Sequence, residues 1–247
     1  MFDDLEAADP YPLAVLEDAP LAYYRLDEME GGVAKDASGH GRDGAYEGVQ
    51  FSGQGAVSGN GALALDGHGG VDVGDDGALA FSGRSPYSLE AWMRTSLRDF
   101  QIVIDRSERV PSSTPGVDDR FGYHLSFRKD QNVPEQDEIV AERMRGHEDG
   151  AFCTLNPPNT DDAWRDRLLH VIATFDGEAL QLYVNGVATG PVRDCPVELD
   201  AGRRPLRIGS KLDGSLGFEG VLDEVAIYDH ALSPVRVRAH FDAASPP

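Results

Sequence analysis

The chain has 247 residues, 40% of them hydrophobic, with 43 acidic against 22 basic residues and a net charge of -21. That length supports one large domain with its own core; the charge argues against nucleic acid and anionic lipid as partners, and no run of about 18 apolar residues offers a membrane span. The acids read either as solubilising surface charge or, in part, as ligands for divalent cations.

The first residues, Met1-Phe2-Asp3-Asp4-Leu5-Glu6, are acidic and lack the apolar stretch of a secretory signal; with Met1 as the natural start, export by the ordinary route is not expected. Residues 1–19 read as an N-terminal extension with a short helix over 11–17, and 20–247 as a single domain. Leu21-Ala22-Tyr23-Tyr24-Arg25-Leu26 predicts a strand, and the glycine-studded stretch from Asp36 to Gly44 a loop. Short apolar runs then alternate with Gly, Asp and Asn turns: 62–65, 70–73, 88–94, 100–104 and 123–127. The clearest element is His170-Val171-Ile172-Ala173-Thr174-Phe175, then Asp176-Gly177, then Leu180-Gln181-Leu182-Tyr183-Val184, then Asn185-Gly186, a pattern of hairpins. Strands over 206–209 and 220–228 follow. Ser233 caps and Pro234 opens a final helix through 244. Residues 106–119 and 128–136 read as long loops. About a dozen short strands with almost no helix predict an all-β, two-sheet antiparallel jelly-roll sandwich with a short C-terminal helix.

Cys153 and Cys195 are the two cysteines and lack metal-type spacing. They read either as one disulfide, worth roughly 4 kcal/mol in the chain-entropy model, or as two free thiols. In the strand over 220–228, alternation puts Val221, Asp223, Val225 and Ile227 on one face. Asp223 then points into a core, where a charge needs a partner or a metal.

The ordered set of Ala14 to Glu28, Asp36-Ala37-Ser38-Gly39-His40-Gly41, Leu65-Asp66-Gly67, Ser88-Leu89-Glu90-Ala91-Trp92, His170 through Gly186, Leu206-Arg207-Ile208-Gly209 and Gly220 to Pro234 resembles the laminin-G-like, concanavalin A-like jelly-roll domains. The resemblance covers nearly the whole chain and implies two face-to-face sheets, one curved. It also implies a structural Ca²⁺ near the chain ends, with Asp223 meeting Asp36 and the carbonyls around Gly39 and Gly41, and Asp43 as a further ligand. The alternative for Asp223 is backbone N–H groups or Arg25. By analogy with pentraxins, Asp213 and Glu219 are candidates for a second calcium.

Three functions follow from that fold. The first is a non-catalytic glycan-binding module, with Trp92, Tyr123, Trp164 and Tyr183 as the aromatics able to stack on sugars, or else as packing residues. The partner is then a cell-surface or cell-wall glycan. The second is a glycosidase, which needs Glu-x-Asp-x-Glu; Glu135-Gln136-Asp137-Glu138-Ile139 comes nearest and lacks the second glutamate. The third is a structural or adhesion component that associates with itself or with other virion proteins. The opening resembles versions in bacteriophage tail and actinobacterial surface proteins, so the expected setting is a virion or a cell surface.

Overall fold

The structure is a computed structural model and describes residues 9–52, 54–55, 60–96, 99–129, 137–148, 151–157 and 164–244. The elements run α1 (Pro10–Glu17), β1 (Ala22–Tyr24), β2 (Val33–Ala34), β3 (Gly44–Glu47), β4 (Gln50–Ser52), β5 (Ala62–Asp66), β6 (Gly70–Gly74), β7 (Tyr87–Arg94), β8 (Gln101–Pro111), β9 (Asp118–Lys129), β10 (Asp137–Gly146), β11 (Phe152–Leu155), β12 (Leu169–Phe175), β13 (Ala179–Val184), β14 (Val187–Asp194), β15 (Leu206–Ile208), β16 (Glu219–Tyr228) and α2 (Pro234–Ala243). Sheet A is ordered β14-β13-β12-β7-β16-β5-β4, with β1 also paired to β16; sheet B is ordered β11-β10-β9-β8-β15-β6-β3-β2. All the pairings are antiparallel, so the chain forms the expected two-sheet sandwich.

Alternation builds the core. Leu89, Ala91 and Met93 of β7, Val171, Ala173 and Phe175 of β12, and Tyr123, Leu125 and Phe127 of β9 all point into one cluster between the sheets. The hairpin between β13 and β14 follows from Asn185 and Gly186. Both take positive φ, 51° and 76°, as a tight hairpin turn with the twist of its strands requires.

Residues 106–119 are mostly strand rather than loop. β8 continues to Pro111 and β9 begins at Asp118, with Arg109 opposite Arg120 and Val110 opposite Asp119. These ends run past the apolar core, so neither face needs apolar side chains, and alternation disappears while pairing persists. Arg128 and Lys129 close β9; residues 130–136, with Glu135 and Gln136, lie outside the described residues.

Residues 9–19 are part of the packing. Tyr11 and Val15 of α1 are buried and join Val237 of α2, Trp92, Ile172, Tyr183 and Tyr228 in a second apolar cluster on the outer face of sheet A. At its centre Glu90 of β7 is fully buried. Its carboxylate accepts from Tyr11 Oη at 2.8 Å and Tyr228 Oη at 2.6 Å, and meets His170 Nε2 at 2.7 Å and His240 Nδ1 at 3.1 Å. His240 Nε2 lies 2.8 Å from Asp18, which also accepts from Arg236 Nε at 2.7 Å. One carboxylate thus pins both terminal helices to the sheet. Ser233 caps α2 by accepting from Arg236 N, with Pro234 in the first turn. Cys153 and Cys195 are joined, which ties β11 of sheet B to the segment after β14 of sheet A.

Candidate binding face and the Asp223 gap

On β9 the core side chains Tyr123, Leu125 and Phe127 alternate with His124 and Ser126, so these two face outward from sheet B. Register then assembles a polar row across the sheet. Thr154 of β11 stands opposite Glu142 of β10, Glu142 opposite His124 of β9, and His124 opposite Asp105 of β8. Asp105 stands opposite Arg207 of β15, and Arg207 opposite Asp72 of β6. A parallel rung pairs Glu138 with Arg128, whose Nε donates to Glu138 Oε2 at 2.7 Å.

The middle of the row is withdrawn from water and its ends are open. The side chains of Asp105 and His124 are 2% and 6% exposed, Lys211 28% and Asp72 30%. Asp105 Oδ1 accepts from Ser107 Oγ at 2.6 Å and from Lys211 Nζ at 3.5 Å. Burial raises the Asp105 carboxyl above the usual range, against the pull of Lys211. His124 differs from every other charged or polar member. Among the described residues neither ring nitrogen has a hydrogen-bond partner, and Glu142 Oε2 stands 3.7 Å from Nε2. Burial, together with Lys211, Arg128 and Arg120, lowers its pKa to about 3, so the ring is neutral and offers one donor and one acceptor. Ser126 Oγ beside it is likewise buried without a partner among the described residues. A buried polar group left unsatisfied costs about 1–3 kcal/mol, so these atoms hold hydrogen-bonding capacity that the described residues do not use.

The predicted aromatics do not form a stacking surface. Tyr123 is buried in the core and donates to the Leu79 carbonyl at 2.8 Å. Trp92 does face away from the core, but it is packed beneath the helices at 1% exposure, beside Phe241. Tyr183 is buried in the same cluster. Trp164 is half-buried against the main core. Packing claims all four rings: Tyr123 and Trp164 at the core between the sheets, and Trp92 and Tyr183 in the cluster with the helices on the outer face of sheet A.

Asp223 is also placed differently. β16 carries an extra residue against β7 between Asp223, opposite Trp92, and Ala226, opposite Glu90. Glu224 takes φ 50° there, and such a bulge reverses the alternation. Leu222, Val225 and Ile227 therefore face the main core, and Asp223 does not share their face. On the other edge of β16, β5 pairs as far as Leu222 and β1 begins at Val225. Asp223 and Glu224 occupy the gap between those two partners.

Asp223 Oδ1 accepts from Glu224 N at 2.9 Å, which is the backbone alternative to a metal. Arg25 pairs with Glu224 instead, at 3.5 Å. Around the other oxygen the gap is rich in acceptors. A Cβ on Gly55 would lie 2.0 Å from Asn60 Oδ1, 2.3 Å from Gly61 O and 2.7 Å from Asp223 Oδ2, so only glycine leaves room where these oxygens converge. Among the described residues Asn60 Oδ1 is buried without a hydrogen-bond partner, while its Nδ2 donates to Glu224 Oε1 at 2.7 Å.

The other predicted ligands lie in separate networks. Asp36 spends both carboxylate oxygens on backbone N–H groups, from Tyr23 at 3.1 Å, Ser38 at 3.0 Å and Arg42 at 2.8 Å. It closes the loop containing Gly39 and Gly41, and its own N–H donates to Asp43. Asp213 accepts from Ser215 N and Oγ, and Glu219 opens β16 with its N–H donated to Gln101 Oε1. Among the described residues, no three His, Cys, Asp or Glu side chains gather into a metal-binding group; the cluster at Gly55 is of carboxylate, amide and carbonyl oxygen.

Sequence reading passed over His124, Ser126, Asp105 and Glu142. The signal was the alternation Tyr123-His124-Leu125-Ser126-Phe127, which marks an outward polar stripe once the apolar partners are assigned to the core.

Known structures share this architecture. Domain 4 of AbnA, an extracellular arabinanase of Geobacillus stearothermophilus solved with arabinotriose, is 17% identical with a TM-score of 0.60, covering 91% of this chain and 97% of that one. The binding domain of Paraclostridial Mosquitocidal Protein 1 is 15% identical with a TM-score of 0.67, covering 92% of this chain and 53% of that one. The receptor binding domain of botulinum neurotoxin mosaic serotype C/D is 13% identical with a TM-score of 0.59, covering 92% and 51%. The chain thus spans about half the length of the two toxin domains, and at these identities the likeness is one of fold. No curated protein matches the sequence. Residues 65–238 match the family model of the concanavalin A-like lectin/glucanases, and the chain belongs to that superfamily.

Proposed function

We propose that the protein is a non-catalytic glycan-binding module whose sugar site is the polar row on the outer face of sheet B. The observation that carries this reading is the buried, neutral His124, set between Glu142 and Asp105 and beside Ser126, with both its nitrogens and the Ser126 Oγ unpartnered among the described residues. Sugar hydroxyls donate and accept at once, which suits a neutral imidazole flanked by carboxylates and a lysine. Asp105 is committed to Ser107 and Lys211 and lies nearly out of solvent, which favours binding over hydrolysis. The arabinotriose complex of the arabinanase domain and the receptor-binding role of the toxin domain agree with this use of the fold.

The ligand sought is a cell-surface or cell-wall glycan. The setting is the outside of a cell or a virion, in keeping with a disulfide between the sheets, a bond of oxidising compartments. A phage tail or host-recognition component, in contact with other virion proteins, is the specific form of this proposal. The ion proposed for the fold is Ca²⁺, held by Asp223, Asn60 and the Gly61 carbonyl rather than by Asp36. These are hard oxygen donors of the kind Ca²⁺ takes, and the orphaned Asn60 Oδ1 fits the assignment. The ion would tie the break between β5 and β1 and supply no chemistry to the sugar face.

Binding is tested on an array of cell-wall and plant oligosaccharides, followed by titration calorimetry. His124→Ala and Glu142→Gln should each weaken binding about tenfold, the worth of one good hydrogen bond in a desolvated site. Failure of the intact protein to bind any glycan on the array overturns the reading.

A further inference from the structure

Three neighbouring strands of sheet B are longer than β7 and β12 of sheet A. β8, β9 and β10 have 11, 12 and 10 residues, against 8 in β7 and 7 in β12. Their far ends run past the apolar cluster between the sheets, whose β9 and β10 members stop at Tyr123 and Ala141. The side chains there change character accordingly. Asp119, Phe121, Arg145 and His147 replace the aliphatic run, with Phe121 directly opposite Arg145. They line an open cleft of about 550 Å³, closed on its other side by Pro196, Val197 and Glu198. That volume falls in the range of small-ligand sites, roughly 300–1,000 Å³.

The polar groups in the cleft are held in place. His147 Nδ1 is bonded to Asp119 and lies 3.2 Å from Ser112 Oγ, and its Nε2 lies 3.4 Å from Thr114 Oγ1. Those contacts fasten the connection between β8 and β9 to the turn after β10. Arg145 Nη1 faces Glu198 Oε2 at 3.6 Å across the mouth. The lining carries three carboxylates, Asp119, Glu148 and Glu198, against Arg145 and His147, so an anion is disfavoured and the two basic groups are already engaged by Asp119 and Glu198. A neutral molecule with many hydroxyls finds donors, acceptors and the Phe121 ring together.

We propose that this overhang cleft is a second saccharide site, separate from the row at His124. Asp119 and His124 lie on one strand, five positions apart, a separation of roughly 17 Å at 3.4 Å per residue. The parity differs, so the two sites open on opposite faces of sheet B and take separate saccharides or separate segments of one chain.

The test is two-dimensional NMR of the intact protein titrated with arabinotriose and, separately, N,N′-diacetylchitobiose. At least one probe should shift the Phe121, Arg145 and His147 resonances as a set that saturates independently of the His124 set. His147→Ala should weaken the cleft response about tenfold and leave the His124 response unchanged. Ser113→Trp, an exposed loop position that fills the cleft, should abolish the cleft response and keep the fold. His124→Ala should do the converse, so loss of row binding alone leaves this proposal standing. Saturation of neither probe at the cleft, or a cleft response unaltered by Ser113→Trp, overturns it.

Discussion

Replacing Glu90 by alanine tests the clasp that holds both terminal helices. The carboxylate is fully buried and receives Tyr11, Tyr228, His170 and His240. Deleting it leaves two phenol hydroxyls and two imidazoles facing an apolar void. Breaking a buried charged pair by removing one partner costs about 3–5 kcal/mol. For a chain of this size about 1 kcal/mol moves Tm by roughly 2–4 °C, so Glu90→Ala should lower Tm by about 10 °C. Urea unfolding and calorimetry read this directly, and a double-mutant cycle with His240→Ala isolates the pair. A loss under about 0.5 kcal/mol, the size of a surface substitution, would falsify the clasp.

The same hub sets a pH signature. Burial disfavours charge on His240, but Glu90 and Asp18 outweigh it and raise its pKa above 6.5. Its contribution is therefore complete below pH 6.5 and lost as pH rises through the folded value. Burial likewise opposes charge on Glu90, yet His240 and His170 hold its carboxyl well below the usual glutamate value near 4.5. Its contribution is complete above that value and lost on strong acidification. The hub is strongest between about pH 4.5 and 6.5, and Glu90→Ala should flatten the profile on both sides.

Other outcomes follow from the remaining contacts. If Ca²⁺ sits at the gap in β16, chelator should lower Tm, and Asn60→Ala or Asp223→Ala should erase the chelator effect while Asp43→Ala preserves it; an unchanged Tm on chelation removes the ion from the account. Cys195→Ser should cost about 4 kcal/mol for a closed segment of 42 residues' separation, read by denaturant unfolding with and without reductant. Tyr123→Phe should cost about 1 kcal/mol by orphaning the Leu79 carbonyl and leave glycan affinity untouched; a loss of binding would return Tyr123 to the sugar site.

Local chemistry made the sandwich readable. Asn185-Gly186, Ser233-Pro234 and the alternation around Leu89 and Trp92 each act over a few residues, and each appears where the pattern put it. The binding face depended on register between strands distant in sequence: Glu142, His124 and Asp105 become neighbours only through β8, β9 and β10. The hub was further out of reach, since Glu90 and His240 are 150 positions apart. Asp223 misled for a local reason. A glutamate rather than a glycine adopts the left-handed turn at the bulge, so no residue type announced the change of face.

The positions of the two helices have a practical consequence. Both lie against the outer face of sheet A, whereas the polar row lies on the outer face of sheet B, with the whole sandwich between them. Anything joined to either end of the domain, such as a fused partner, a linker or a chip surface, approaches from the back. An immobilised copy tethered through residue 9 or 244 should therefore present His124 and Glu142 outward, and binding measured that way should match binding measured in free solution.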